Sequence, residues 1–259
     1  MTPPGIRPFL RKILGRDLQQ NITREFERAV REGGHAFPDR VALPPRFGRG
    51  MPERVVELLL ARLSYEPGRR VLDVGHANSM ACHRDMIRSL PKPRRLTGVD
   101  IADPVYDASQ LYEASVRASM DATPFADGDF DLIWCISSFE HFGMDNSAYR
   151  PGSTADERIP DAALAEMMRI LRTGGTLLLT VPYGKYEDHG WFRNFDEQLL
   201  GRFVAQIADR ASVRGLYFAH DAAEGWLPAA AEQLRGVGYH DQKNAGASAL
   251  AALVVRKGG

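Results

Sequence analysis

Val71-Leu72-Asp73-Val74-Gly75-His76-Ala77-Asn78-Ser79 is an apolar run that closes on an acid and a glycine turn. It reads as a buried strand whose carboxyl end can bring backbone close to a ligand. Alone it decides little, because many strands close on Asp-x-Gly for turn geometry. Its surroundings decide more. Further β-rich runs cover 95–101, 130–136, 176–181, 212–219 and 250–256, with helical patterns at 83–89, 161–171, 196–209 and 223–237 between them. This alternation predicts an α/β fold with a mostly parallel sheet flanked by helices. In 161–171, Leu164, Met167, Met168 and Leu171 recur at helical spacing, and Gly174-Gly175 is read as the stop. Asp196 is placed to cap the helix that follows it.

Upstream, residues 21–32 carry Ile22, Phe26, Ala29 and Val30 at helical spacing, and Pro52 opens a second helix whose apolar face is Val55, Val56, Leu59, Leu60 and Leu63. Pro38, Pro44, Pro45, Gly48, Gly50 and Pro52 interrupt the chain between them. The expected organisation is therefore an N-terminal helical extension and linker over residues 1–50, then one α/β domain over 51–259. Phe9, Leu10, Ile13 and Leu14, beside Arg7, Arg11 and Lys12, are spaced as one apolar face of a basic helix, suited to packing on the domain or to a membrane surface.

The 33 basic and 33 acidic residues cancel, which removes the whole-protein field that would favour nucleic acid. Cys82 and Cys135 form no CxxC pair and read as buried thiols of a cytoplasmic protein. No stretch reads as a transmembrane segment or signal peptide.

Two segments downstream of the first turn carry further chemistry. Leu96-Thr97-Gly98-Val99-Asp100 sets an acid at a strand end, at the distance expected of a ribose-binding carboxylate in a βαβ unit. In Met120-Asp121-Ala122-Thr123-Pro124-Phe125, Asp121 is placed either to accept from an exocyclic amine or to cap the turn before Pro124.

In order, these segments resemble the class I, Rossmann-like S-adenosylmethionine-dependent methyltransferases, from about residue 51 onward. Asp73-Val-Gly75 looks like the family's first motif, Asp100 like its ribose acid and Asp121-Ala122 like its adenine pair. The run from Asp131-Leu-Ile133 to Glu140-His141-Phe142 looks like the fourth strand and its loop, and 171–179 like the helix end and fifth strand. The resemblance implies a seven-stranded sheet and S-adenosylmethionine held by Asp73, Gly75, His76, Ala77, Asp100, Ile101, Met120, Asp121, Ala122 and Ser137. One departure stands out. Where the family's first motif alternates three glycines, this chain has Gly75, Ala77 and Ser79, and any need for positive φ would strain the last two. A GxGxxG pyrophosphate turn is absent, which argues against a dehydrogenase.

The reaction implied needs an aligned acceptor and a place for one proton. His189, beside Asp188 in the aromatic loop after the fifth strand, is the first candidate base, and His141 is its rival. Glu140, Tyr183, Trp191 and Arg193 are candidate acceptor contacts. The polar and aromatic loop suits a hydroxyl of a small molecule or glycan. Asp145, Glu140, Asp188 and His189 have no compact metal-ligand spacing, so no metal is expected. The alternative is a non-catalytic interaction protein that keeps the fold. The additions at 7–47 and 146–160 lie outside the sheet pattern and suit either a cover over the acceptor pocket or the contact of a homodimer.

Overall fold

The computed structural model describes residues 15–147, 149, 152–242 and 244–259. The apolar positions Phe9, Leu10, Ile13 and Leu14 lie outside the described residues. Two helices, α1 (Arg16–Glu32) and α2 (Arg54–Ser64), precede β1 (Arg70–Val74), α3 (Ala81–Ser89), β2 (Arg95–Asp100), β3 (Ala114–Arg117) and β4 (Phe130–Ile136). Then follow α4 (Ile159–Ile170), β5 (Leu171–Pro182), a small pair β6 (Glu187–Asp188) and β7 (Arg193–Asn194), and α5 (Glu197–Ile207). The chain closes with β8 (Ala211–Asp221), β9 (Gly225–Ala229) and β10 (Ala249–Lys257).

The main sheet runs β3-β2-β1-β4-β5-β10-β8-β9. Pairing is parallel from β3 to β5 and antiparallel across β10, β8 and β9. The chain moves outward from β1 to β2 and β3, then returns to β4 on the opposite side of β1. The β1–β4 junction is therefore the switch point at which such sheets open a crevice at their carboxyl edge. Side-chain alternation builds a core on each face. Leu132, Trp134 and Ile136 of β4 pack with α1, α2 and α3, whereas Ile133 and Cys135 pack with α4 and α5.

Three expectations change. The sheet has eight strands rather than seven, because residues 223–237, expected to be helical, form β9 and a short 3-10 turn, Ala231–Leu234. Gly225, with φ 78°, makes the hairpin, and Pro228 is tolerated because β9 is an edge strand. Short, exposed β3 gave no apolar signal. Gly174-Gly175 does not stop α4. The helix ends at Ile170, and the glycines lie in a bulge of β5 where the register jumps from Leu171 to Thr176. Asp196 does cap α5, its carboxylate accepting from the Leu199 amide at 2.8 Å.

The Pro- and Gly-rich linker is tied into this body. Phe47 is fully buried, its carbonyl accepts from the Trp226 amide at 2.7 Å, and the Met51 carbonyl accepts from Trp226 Nε1 at 3.1 Å. A Cβ on Gly225 would lie 2.2 Å from the Phe47 carbonyl oxygen. Gly225→Ala therefore adds a clash to an unfavourable φ, and a loss of ~2 kcal/mol is expected. Urea unfolding followed by tryptophan fluorescence measures it. An unchanged midpoint would mean that β9 does not anchor the linker.

Candidate active site

A cavity of about 1300 Å³ opens at the carboxyl edge of the parallel strands. Single-ligand sites are commonly about 300–1,000 Å³, so this one has room for two ligands side by side. At its β1–β2 end it is lined by Gly75, Asn78, Asp100, Ile101 and Met120, and Ser137 lies at the end of β4. Beyond β4 it is lined by Glu140, His141, Tyr149, His189, Trp191 and Tyr239.

The first turn works without strain. Gly75 has φ 82°, its amide donates to the Val99 carbonyl at 2.9 Å, and a Cβ there would lie 2.2 Å from Ser138 Oγ. Residues His76–Asn78 then form one 3-10 turn, and neither Ala77 nor Ser79 has positive φ. The strain expected from replacing the second and third glycines does not arise. Asp100 fixes this turn: its two oxygens accept from the amides of Ala77 at 2.9 Å and Ala102 at 3.0 Å. Burial raises its pKa, partly offset by those amides. A carboxylate has about four acceptor positions, which leaves roughly two for hydroxyls of a ligand.

Seven of the sequence candidates do not line this cavity. Asp73 is fully buried beneath the turn, where Tyr112 donates to it at 2.6 Å and His83 Nε2 lies 3.0 Å away. Burial opposes its charge, but His83 and Tyr112 outweigh that and hold its pKa low. The His76 ring turns inward over Gly98, with Tyr106 at 3.1 Å and Ser115 at 3.0 Å, and Ala77 is buried. Asp121 accepts from Ser119 Oγ, and Ala122 lines a shallow neighbouring depression with Ile101 and Ser119. Tyr183 packs on Tyr217 in the core. Arg193 donates to the Phe142 carbonyl at 2.9 Å and so braces the loop after β4.

The two histidines differ in their surroundings. His141 Nδ1 lies 2.9 Å from the Trp191 carbonyl, which only accepts, so Nδ1 carries the proton and Nε2 presents its lone pair. Its ring stacks on Trp191 at 4.8 Å, and burial lowers its pKa to about 4. His189 stacks on Phe192 at 4.4 Å, and the acid near it is Glu187, at 3.4 Å, rather than Asp188. Asp188 instead accepts from the Gly190 amide at 2.7 Å.

Sequence reasoning missed a buried polar cluster under the centre of the cavity. Glu57 of α2 is fully buried and accepts from Ser137 Oγ at 2.8 Å and Thr180 Oγ1 at 2.6 Å, with Arg54 3.2 Å away. Thr180 Oγ1 in turn accepts from the Ser137 amide at 3.1 Å. Ser137 is held at φ 42°, a left-handed conformation costly for a residue with a Cβ. Beside Glu57, Glu53 accepts from the Ala247 amide at 2.8 Å, and burial followed by repulsion from Glu57 pushes its pKa up to about 7. The available signal was an acid inside the apolar run Val55, Val56, Leu58, Leu59, Leu60.

Residues 72–179 match the methyltransferase-domain family. A 166-residue segment is 27% identical to methyltransferase GfsG of Streptomyces halstedii, covering 55% of this chain and 48% of that protein, so the match spans about half of the relative's length. Among solved structures, the fold is similar to a Burkholderia thailandensis 1,6-didemethyltoxoflavin N1-methyltransferase holding its substrate and S-adenosylhomocysteine. That alignment has 14% identity and TM-score 0.50, over 100% of this chain and 93% of the other. It is also similar to the [4+2]-cyclase SpnF, at 18% identity and TM-score 0.50, over 80% and 81% of the two chains. Residues 72–179 thus carry a methyltransferase-domain match on a class I, Rossmann-like fold, and the cofactor of methyltransferases of that class is S-adenosylmethionine. The residues fit it: Asp100 retains acceptor capacity for ribose hydroxyls, and Ile101 and Met120 offer apolar surface. Among the described residues no group of three His, Cys, Asp or Glu converges as a metal site.

Two predictions test this geometry. Asp100→Ala should weaken S-adenosylmethionine binding by about tenfold or more, since charged hydrogen bonds contribute roughly 1.5–3 kcal/mol. Calorimetry measures it, and unchanged affinity in a folded variant removes Asp100 from the site. Glu57→Ala leaves Arg54 unpaired and Ser137 unheld. Its expected cost is ~3 kcal/mol or more in urea unfolding, whereas a loss below that of an ordinary surface substitution would reduce the cluster to a bystander.

Proposed function

We propose that the protein transfers a methyl group from S-adenosylmethionine to a hydroxyl of a small-molecule or glycan acceptor seated beyond β4. The observation that carries this reading is the His141 imidazole, which lines the cavity and whose Nδ1 contact with the Trp191 carbonyl leaves the lone pair on Nε2. When bound, the cofactor supplies a methyl group activated by sulfonium charge, so the chain itself must bind, align and deprotonate. Asp100 and the Gly75 turn would hold the cofactor's ribose and methionine portions. Trp191 and Tyr149 offer aromatic faces to the acceptor, and His141 Nε2 takes the hydroxyl proton. Ordinary φ values at Ala77 and Ser79 remove the physical motive for a non-catalytic reading.

His189 stands as the second candidate base because Glu187 lies beside its ring. We also place the protein in the cytoplasm: both cysteines are free and buried, and no helix of the described residues is long and apolar enough to cross a membrane.

With a pKa near 4, His141 stays neutral through the physiological range and loses its lone pair only as pH falls toward that value. If His141 is the base, turnover at saturating cofactor holds down to about that pH, and His141→Ala loses about 10²-fold or more with cofactor affinity kept. Comparing His141→Ala with His189→Ala across pH checks the assignment. Loss confined to His189→Ala moves the base to His189, and full turnover in both variants leaves alignment alone as the source of rate.

A further inference from the structure

The acceptor end of the cavity carries more acid than its neighbours neutralise. Glu53, Glu57 and Glu140 gather there, and Arg54 is the one guanidinium among the described residues beside them. Arg54 is committed to Glu57, and Glu57 to Ser137 and Thr180. Glu140 is different. It lies in the short turn Phe139–His141 after β4, is 5% exposed, and lines the cavity, yet its Oε2 is buried with no hydrogen-bond partner among the described residues. His141 Nε2, its nearest basic neighbour, is 3.9 Å from the other oxygen, beyond hydrogen-bond reach.

A buried carboxyl oxygen left without a partner is costly, by roughly 1–3 kcal/mol for polar groups and more for charged ones. Such a group points to something that arrives to satisfy it. Sheet order says which ligand. Asp100 and Gly75 lie at the ends of β2 and β1, whereas Glu140 follows β4, and Glu53 is bonded to the segment leading into β10, on the opposite side of the switch point. The unpartnered oxygen therefore belongs with the acceptor half.

We propose that the acceptor carries a protonated amine, and that Glu140, backed by Glu53, receives it while a separate hydroxyl of the same molecule meets His141. A neutral hydroxyl would fill one hydrogen bond but leave the excess of carboxyl groups over Arg54 unanswered, and an ammonium group satisfies both. Burial, reinforced by Glu57, raises Glu140 well above the usual carboxylate range. A cation in contact removes part of that penalty, so the cluster gains most from a positively charged partner. This inference rests on the assignment of the β1–β2 end to the cofactor and the far end to the acceptor.

Glucosamine and N-acetylglucosamine differ in the ammonium group and serve as probes. On protein saturated with S-adenosylhomocysteine, glucosamine should bind about tenfold or more tightly than N-acetylglucosamine, as read by ligand-observed NMR titration. Glu140→Gln should abolish that preference while leaving S-adenosylmethionine affinity within about twofold. Equal binding of the two sugars, binding of neither, or a preference that survives in a folded Glu140→Gln variant overturns the proposal. If Glu140→Gln instead changes the affinity ratio of S-adenosylmethionine to S-adenosylhomocysteine and not the sugar preference, the carboxylate serves the cofactor and the inference is wrong. Should the wild type bind no S-adenosylmethionine, the reading of the whole site fails first. The wild-type sugar comparison decides the inference even where the variant does not fold.

Discussion

The Glu57 carboxylate is the constraint on which the cavity depends. It comes from α2, yet its partners are Ser137 at the end of β4 and Thr180 near the end of β5, so one buried acid ties a helix to the two strands that flank the site. Ser137 pays for its left-handed φ through those bonds, because relaxing to an extended backbone would abandon the Glu57 and Thr180 contacts. The chain reverses there into the Phe139–His141 turn, which carries both Glu140 and His141. The acceptor end thus rests on a network of which Arg54 and Ser137 line the cavity while Glu57 and Thr180 lie beneath it.

The two ends of the cavity are fixed by different means. At β1 and β2 the geometry is backbone geometry: Gly75 passes close to Ser138, its amide pairs with Val99, and Asp100 fastens the next turn through the Ala77 amide. A site of this kind tolerates variation in the side chains of the turn, which explains how Ala77 and Ser79 replace glycines without strain. Beyond β4 the geometry is side-chain geometry. Stacked rings, a tautomer set by one carbonyl and a cluster of acids define the wall.

This division explains what the sequence made legible. Strand-end acids and glycine turns are local features, so Gly75 and Asp100 could be placed at the carboxyl edge from their own neighbours. His76 could not, because its direction is decided by the missing side chain of Gly98 on the adjacent strand. Tyr183 follows strand parity rather than loop position: Leu177, Leu179 and Val181 face the α4 and α5 layer, and Tyr183 continues that face toward Tyr217. Residues 223–237 look helical by composition, but Gly225, Trp226 and Pro228 are the features of a hairpin edge. Glu57 stands 80 and 123 residues from Ser137 and Thr180, and Glu53 stands 194 from Ala247, so no local pattern reports contacts made only when α2 docks on the sheet.

A [4+2]-cyclase shares this fold, which shows that the sheet and its switch point do not by themselves dictate methyl transfer. The discriminating chemistry lies in what the far half of the cavity offers to a second ligand. Here it offers an imidazole whose lone pair is free and whose burial keeps it neutral, beside a carboxyl group with an unsatisfied oxygen. Close neighbours in sequence, Glu140 and His141 are pushed by the same burial toward their uncharged forms, the acid upward and the base downward. Their roles then divide by hydrogen bonding. His141 has its proton fixed on Nδ1 by a main-chain oxygen and so can only accept at Nε2, while Glu140 Oε2 has no hydrogen-bond partner among the described residues.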